Sequence, residues 1–174
     1  MTALASVARV LREHGTPFAL IGAGAMAVHG VSRSTADLDL LVTDRRCLTQ
    51  DYWSSGGDVS VDIRRGDATD PLAGVVRARA RSGGPLDVVV GRHAWQAAAI
   101  AAAGPGEVDG VPLMVVRPRD LVLLKLYAGG PQDAWDITQL IGLANGASIV
   151  TEVDATVGML PGDAQALWQR VRPA

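Results

Sequence analysis

The spacing of apolar and polar positions changes several times along the chain, and each change marks an element. Leu4, Val7, Ala8, Val10 and Leu11 recur at helical spacing, with Thr2 placed to cap the start and Gly15 to stop the end. This predicts a packing helix over 2–14. Phe18 to Ile21 is a short apolar run read as a strand, and the alanine-rich stretch Ala23 to Val28 is read as a helix packed tightly on it. Leu38 to Val42 forms the next apolar strand, Val59 to Ile63 alternates as another, and 64–71 is a polar loop. Val75 to Ala80 and Leu86 to Val90 flank Arg81-Ser-Gly-Gly-Pro85, the strongest hairpin signal in the chain. A helix over 93–102, a short hairpin over 107–116 through Asp109-Gly110, and a helix opened by Pro118 follow. Further helices are expected over 137–143 and 148–171.

Strands and helices in this order predict an α/β (α+β) protein with a mixed β-sheet flanked by helices. At 174 residues, 48% apolar and 20% charged, the chain can bury one real core. The expected division is a main domain over 1–145 and a C-terminal helical extension over 146–174 packed on the same domain. A formal net charge of -2 gives no overall nucleic-acid footprint. The single cysteine, Cys47, excludes an intrachain disulfide, and no basic segment followed by a long apolar run marks a targeting or membrane sequence. The expected location is the cytoplasm, without a membrane partner.

Candidate chemistry is concentrated between Leu20 and Val42. Asp37 and Asp39 alternate with Leu38 and Leu40 at the start of a strand, so the two acids share a face and could share a divalent cation. Like charges on one face repel unless something neutralises them. The turn at Gly22-Ala23 carries almost no side chain, which lets backbone N–H groups approach an anion such as a phosphate. A rival reading is the dinucleotide fingerprint, because Gly22-Ala-Gly-Ala-Met-Ala27 fits G-x-G-x-x-A. Against it, the acids come too early, at the start of a strand, after a loop that leaves little room for a βαβ crossover.

The combination Ile21-Gly22-Ala23, His29-Gly30, Arg33, Thr35, Asp37 and Asp39 resembles the nucleotidyltransferase superfamily with the DNA polymerase β-like fold. Within it, the minimal bacterial nucleotidyltransferases and the AbiEii type of toxin are most similar. The likeness is strong over about the first half of the chain and looser to about residue 145. It implies a nucleotidyltransferase-like sheet, an NTP substrate, Mg²⁺ held by Asp37 and Asp39, and transfer of a nucleoside monophosphate to a hydroxyl with release of pyrophosphate. It also implies a third carboxylate on a later strand that completes the metal site and serves as base. Asp87, isolated among Leu86 and Val88 to Val90, is the candidate, since such a charge is costly unless it is paired or binds a cation. Asp62 is its competitor. Gly22, Ala23, Arg33, Thr35 and Lys125 are the expected nucleotide contacts, and Ala23 stands where many members carry a serine, removing one hydroxyl from the cradle.

Other charged residues have plainer readings. Arg77, Arg79 and Arg81 sit two apart and are expected to line an exposed strand face, with phosphate or nucleic acid as the alternative. Asp133 and Asp136 are expected near a helix start, where they favour the dipole. His29 is expected to be structural. Two classes of function stay open. One is an active transferase acting on RNA such as a tRNA end, on a protein hydroxyl or on a small molecule; the other is an inactive module working through a protein partner such as an antitoxin.

Overall fold

The computed structural model describes residues 2–31, 37–57 and 59–173. Their contacts divide into two compact units, one reaching to Val116 and the other taking the helices from Arg117 onward.

The first unit opens with α1 (Ala3–Glu13), whose N-cap Thr2 accepts a hydrogen bond from the Ala5 N–H at 3.2 Å. Its buried stripe of Leu4, Val7, Ala8 and Leu11 follows the helical period expected of it. Strand β1 (Ala19–Ile21) runs straight into α2 (Gly22–Val28). Then come β2 (Leu38–Val42), two short 3₁₀ turns that bury Cys47, Tyr52 and Trp53, and β3 (Ser60–Arg65). A hairpin of β4 (Gly74–Arg79) and β5 (Leu86–Val90), helix α3 (Ala94–Ala101) and a second hairpin of β6 (Gly104–Val108) and β7 (Val111–Val115) complete the unit. The second hairpin turns at Asp109 and Gly110, both at positive φ, as a two-residue turn of this kind requires.

The seven strands form one mixed sheet in the order β3-β4-β5-β2-β1-β7-β6. Strands β1 and β2 pair antiparallel, whereas β2 pairs parallel with β5 and β1 parallel with β7. The antiparallel β1–β2 pair overturns the dinucleotide-fold alternative, which needs a parallel crossover at that point. Alternation then sorts the side chains. Leu40, Val42, Val76, Ala78, Leu86, Val88 and Val90 point to one face and are fully buried, each large one contributing about 1.5–3 kcal/mol. The polar residues of β2 to β5 go to the other face, except Arg65, which shares the face of Gly74 and Val90 and donates to the Leu48 carbonyl at 2.8 Å.

The second unit holds α4 (Pro118–Ala128), α5 (Pro131–Ile141), α6 (Gly146–Asp154), a 3₁₀ turn and α7 (Gly162–Val171). Leu123, Leu126, Ile137, Leu140, Val153 and Trp168 form its apolar interior. Helices α4 and α5 belong to the same compact unit as the C-terminal helices, which takes in the chain from Arg117 onward. Helix α5 also begins at Pro131, earlier than its apolar spacing suggests, so Asp133 and Asp136 are residues of the helix itself. Among the described residues, no helix is long and apolar enough to cross a membrane.

Candidate functional site

Strand register builds the site. Asp39 on β2 stands opposite Asp87 on β5, Asp87 opposite Arg77 on β4, and Arg77 opposite Asp62 on β3. Lateral partners project to the same face, so these four side chains form one charged row across the sheet. Side-chain exposure rises along it, from 19% at Asp87 through 41% at Arg77 to 56% at Asp62.

Asp39 lies at the inner end, against the β1–α2 corner. Gly22 there has φ +63, and a methyl group built on it would overlap the Asp39 Oδ2 and stand 3.1 Å from its Cγ. Backbone and carboxylate are in direct apposition, an arrangement that only glycine permits. Asp37 precedes β2 and is exposed, lining a cleft of about 370 Å³ with Ala23, Gly24 and Glu107. Ala23 is buried in the first turn of α2. Arg33 and Thr35 lie outside the described residues.

At Asp87, the Arg77 guanidinium donates through Nε to Oδ1 at 2.8 Å and through Nη2 to Oδ2 at 2.6 Å. This is the bidentate fork that makes arginine–carboxylate pairs strong and directional. Those bonds and the charge of Asp87 push the Arg77 pKa up, with smaller contributions of the same sign from Asp37 and Asp39. One guanidinium therefore sits in the field of all three acids. Asp62 is separated from Asp39 by two strands and pairs loosely with Arg64 at 3.9 Å.

Beside Asp87 and Arg77 opens a cleft of about 430 Å³ whose far wall is the loop carrying Asp70, Pro71 and Leu72. Arg92 braces that loop by donating to the carbonyls of Asp67 at 2.7 Å and Leu72 at 2.6 Å.

Lys125 belongs to the second unit. Its ammonium lies 2.9 Å from Asp133 Oδ1 and 2.7 Å from Asp136 Oδ2, joining α4 to α5. Asp133 also accepts from the Gly130 N–H at 3.1 Å, the helix-start role expected of it. Asp136 has a completely buried carboxylate, which the sequence reading did not anticipate.

Oxygen-only donors suit a hard cation such as Mg²⁺, which is commonly held by one or two carboxylates with substrate phosphates filling the remaining positions. Asp37 and Asp39 fit that description. Among the described residues no three His, Cys, Asp or Glu side chains form a ready-made metal cluster, and both oxygens of Asp87 are engaged by Arg77.

No family model matches the chain, and no curated protein matches it in sequence. Solved structures do match. The solution structure of the antibiotic-resistance factor ANT(2'')-Ia aligns over 97% of this chain and 94% of that one, with a TM-score of 0.59 at 15% identity. A crystal structure of ANT(2'')-Ia in complex with adenylyl-2''-tobramycin aligns over 89% of this chain and 95% of that one, with a TM-score of 0.57, also at 15% identity. The mixed sheet flanked by helices is the nucleotidyltransferase-like fold, as the sequence reading expected.

Proposed function

We propose that this protein is a divalent-metal-dependent nucleotidyltransferase that moves a nucleoside monophosphate from an NTP to a hydroxyl acceptor. The observation that carries the reading is the register of β2 on β5, which sets Asp39 beside Asp87 on one face, next to the bare backbone of Gly22. Asp37 and Asp39 would hold Mg²⁺, with Asp87 completing the set. The metal would neutralise charge developing on the transferred phosphoryl group. Backbone N–H groups following Gly22 bind phosphate oxygens, since no side chain blocks their approach. Asp87 accepts the proton of the attacking hydroxyl. Arg33 and Thr35 remain nucleotide contacts on the strength of the family resemblance, and the reading does not require Lys125, whose ammonium is held by two aspartates.

For the acceptor we favour a small hydroxyl-bearing molecule. The structural likeness to ANT(2'')-Ia, known in complex with an adenylylated antibiotic, runs over nearly the whole of both chains, and a net charge of -2 offers little to an RNA backbone. The resemblance to AbiEii-type toxins supports a different acceptor, a tRNA end, with the protein as the toxin of a toxin–antitoxin pair. A further reading, an inactive module acting through a protein partner, is favoured by the occupation of both Asp87 oxygens by Arg77.

Calorimetric titration of the four NTPs, with and without Mg²⁺, tests the reading on the native chain and on the Asp37→Ala/Asp39→Ala double variant. Binding that needs Mg²⁺ and vanishes in the double variant supports the transferase. Absence of binding by any NTP sinks it and favours the module. A labelled-NTP screen against antibiotics and tRNA then separates the acceptors.

A further inference from the structure

The row Asp39, Asp87, Arg77, Asp62 places a cation where the proposed metal chemistry needs free carboxylate oxygens. Arg77 holds Asp87 by two charge-assisted hydrogen bonds and also feels the charges of Asp37 and Asp39. Asp39 and Asp87 are like charges on register partners, a destabilising pair, and Arg77 offsets that repulsion at Asp87. The same guanidinium covers the lone pairs through which Asp87 would bind a metal or accept a proton.

Arg77 also has somewhere else to go. Asp62 is its register partner on the opposite neighbouring strand, on the same face, more than half exposed and, among the described residues, loosely paired with Arg64 at 3.9 Å. A long, 41% exposed arginine flanked by acids on both sides can exchange one for the other by side-chain rotation, without moving the backbone.

We infer that Arg77 is the resident counter-cation of Asp87, displaced by the divalent metal and transferred from Asp87 to Asp62 as the metal binds. The inference rests on the metal-site reading above. Arg77 is a positioning residue in this scheme: it holds the Asp87 carboxylate before the metal arrives and sets how strongly the metal must compete.

The test uses the full-length protein and Mn²⁺ as the probe for Mg²⁺, with free Mn²⁺ counted by electron paramagnetic resonance. Arg77→Gln removes the competitor, and its Mn²⁺ affinity is expected to rise about tenfold, the equivalent of one charge-assisted hydrogen bond. Arg79→Gln removes an equal charge from the same face of the same strand, and a change within about twofold is expected from an exposed charge. Asp62→Asn removes the second station and weakens Mn²⁺ binding by about threefold. A residue needed only for folding would not tighten a metal site when removed. Should Arg77→Gln lose its fold by circular dichroism, Arg77→Lys, which keeps the charge without the fork, is expected to gain a few-fold in affinity. Unchanged or weaker Mn²⁺ binding in the folded Arg77 variant overturns the inference, while loss of binding in Asp37→Ala/Asp39→Ala leaves the metal reading standing. Tightening in Arg77→Gln with no effect of Asp62→Asn overturns the transfer to Asp62. Failure of every form to bind Mn²⁺ overturns both the inference and the metal reading.

Discussion

Gly22 and Asp39 are fitted to each other: the glycine sits at φ +63, and its missing Cβ is the space that the Asp39 Oδ2 occupies. Gly22→Ala therefore meets two penalties at once, a left-handed backbone worth about 1–2 kcal/mol and a displaced carboxylate. The expected result is a lower melting temperature and at least a tenfold loss of Mg²⁺-dependent NTP affinity. Gly24→Ala is the contrasting variant. Its new methyl would meet the tip of the Leu38 side chain at 2.9 Å, and that flexible end can yield, so NTP affinity should change by no more than about threefold. Calorimetry and thermal melts on the two variants check both expectations.

Asp87 and Asp39 face each other across neighbouring parallel strands, the register on which the proposed role of Asp87 as base rests. Asp87→Asn keeps the shape and removes the proton acceptor. General bases typically contribute a factor of about 10² to 10⁴, so single-turnover transfer at saturating Mg²⁺ and NTP should fall at least a hundredfold. Transfer at near-native rate by Asp87→Asn would remove Asp87 from the chemistry.

Most of this fold can be read from short-range pattern. The α1 cap at Thr2, the strand from Leu38 to Val42, the β4–β5 hairpin and the helix opened by Pro118 all rest on spacing, turn residues and capping, and each appears close to its expected bounds. Partnership across strands was harder to read. The arginines of β4 looked like an exposed face because hairpin register depends on where pairing ends at the turn. Pairing residue 80 with 86 would have set Arg79 against Asp87, whereas Ala78 pairs with Leu86 and brings Arg77 there. The Lys125 pair with Asp136 was hidden for a related reason: it joins two helices, and only their packing shows that the aspartate is buried. The start of α5 was missed because Pro131 opens the helix before its apolar spacing begins.

Asp44 gives the unit a defined acid sensitivity. The Arg46 side chain first, then the Arg46 backbone N–H and the Thr16 hydroxyl, hold its carboxyl down at about 2 against the opposing effect of burial. Thr16 in turn accepts from the Tyr52 hydroxyl at 2.6 Å, so the carboxylate anchors a chain of bonds reaching the buried 3₁₀ turns. With the folded value below the unfolded one, the stabilisation is complete above about pH 4 and is lost as pH falls through about 2. Its size is about 2 kcal/mol. Urea unfolding between pH 5 and pH 2 should show that loss in the native chain. The Asp44→Asn variant should start less stable and fall less steeply. Parallel pH profiles in the two proteins would remove Asp44 from the acid response.

Lys125 tests how a buried charge pair differs from a ligand. Removing it in Lys125→Met strips the Lys125 counter-charge from Asp136, whose carboxylate is wholly buried and also accepts from the Gln132 amide at 3.2 Å. Breaking one side of such a pair costs about 3–5 kcal/mol, whereas replacing both partners with apolar residues is often neutral. Lys125→Met should accordingly unfold at much lower denaturant, and Lys125→Met/Asp136→Leu should recover most of the loss. NTP affinity in the restabilised double variant separates the two roles. Affinity within about threefold of native is expected if the ammonium serves only to join α4 to α5. A loss that survives the recovery of stability would instead put Lys125 at the triphosphate.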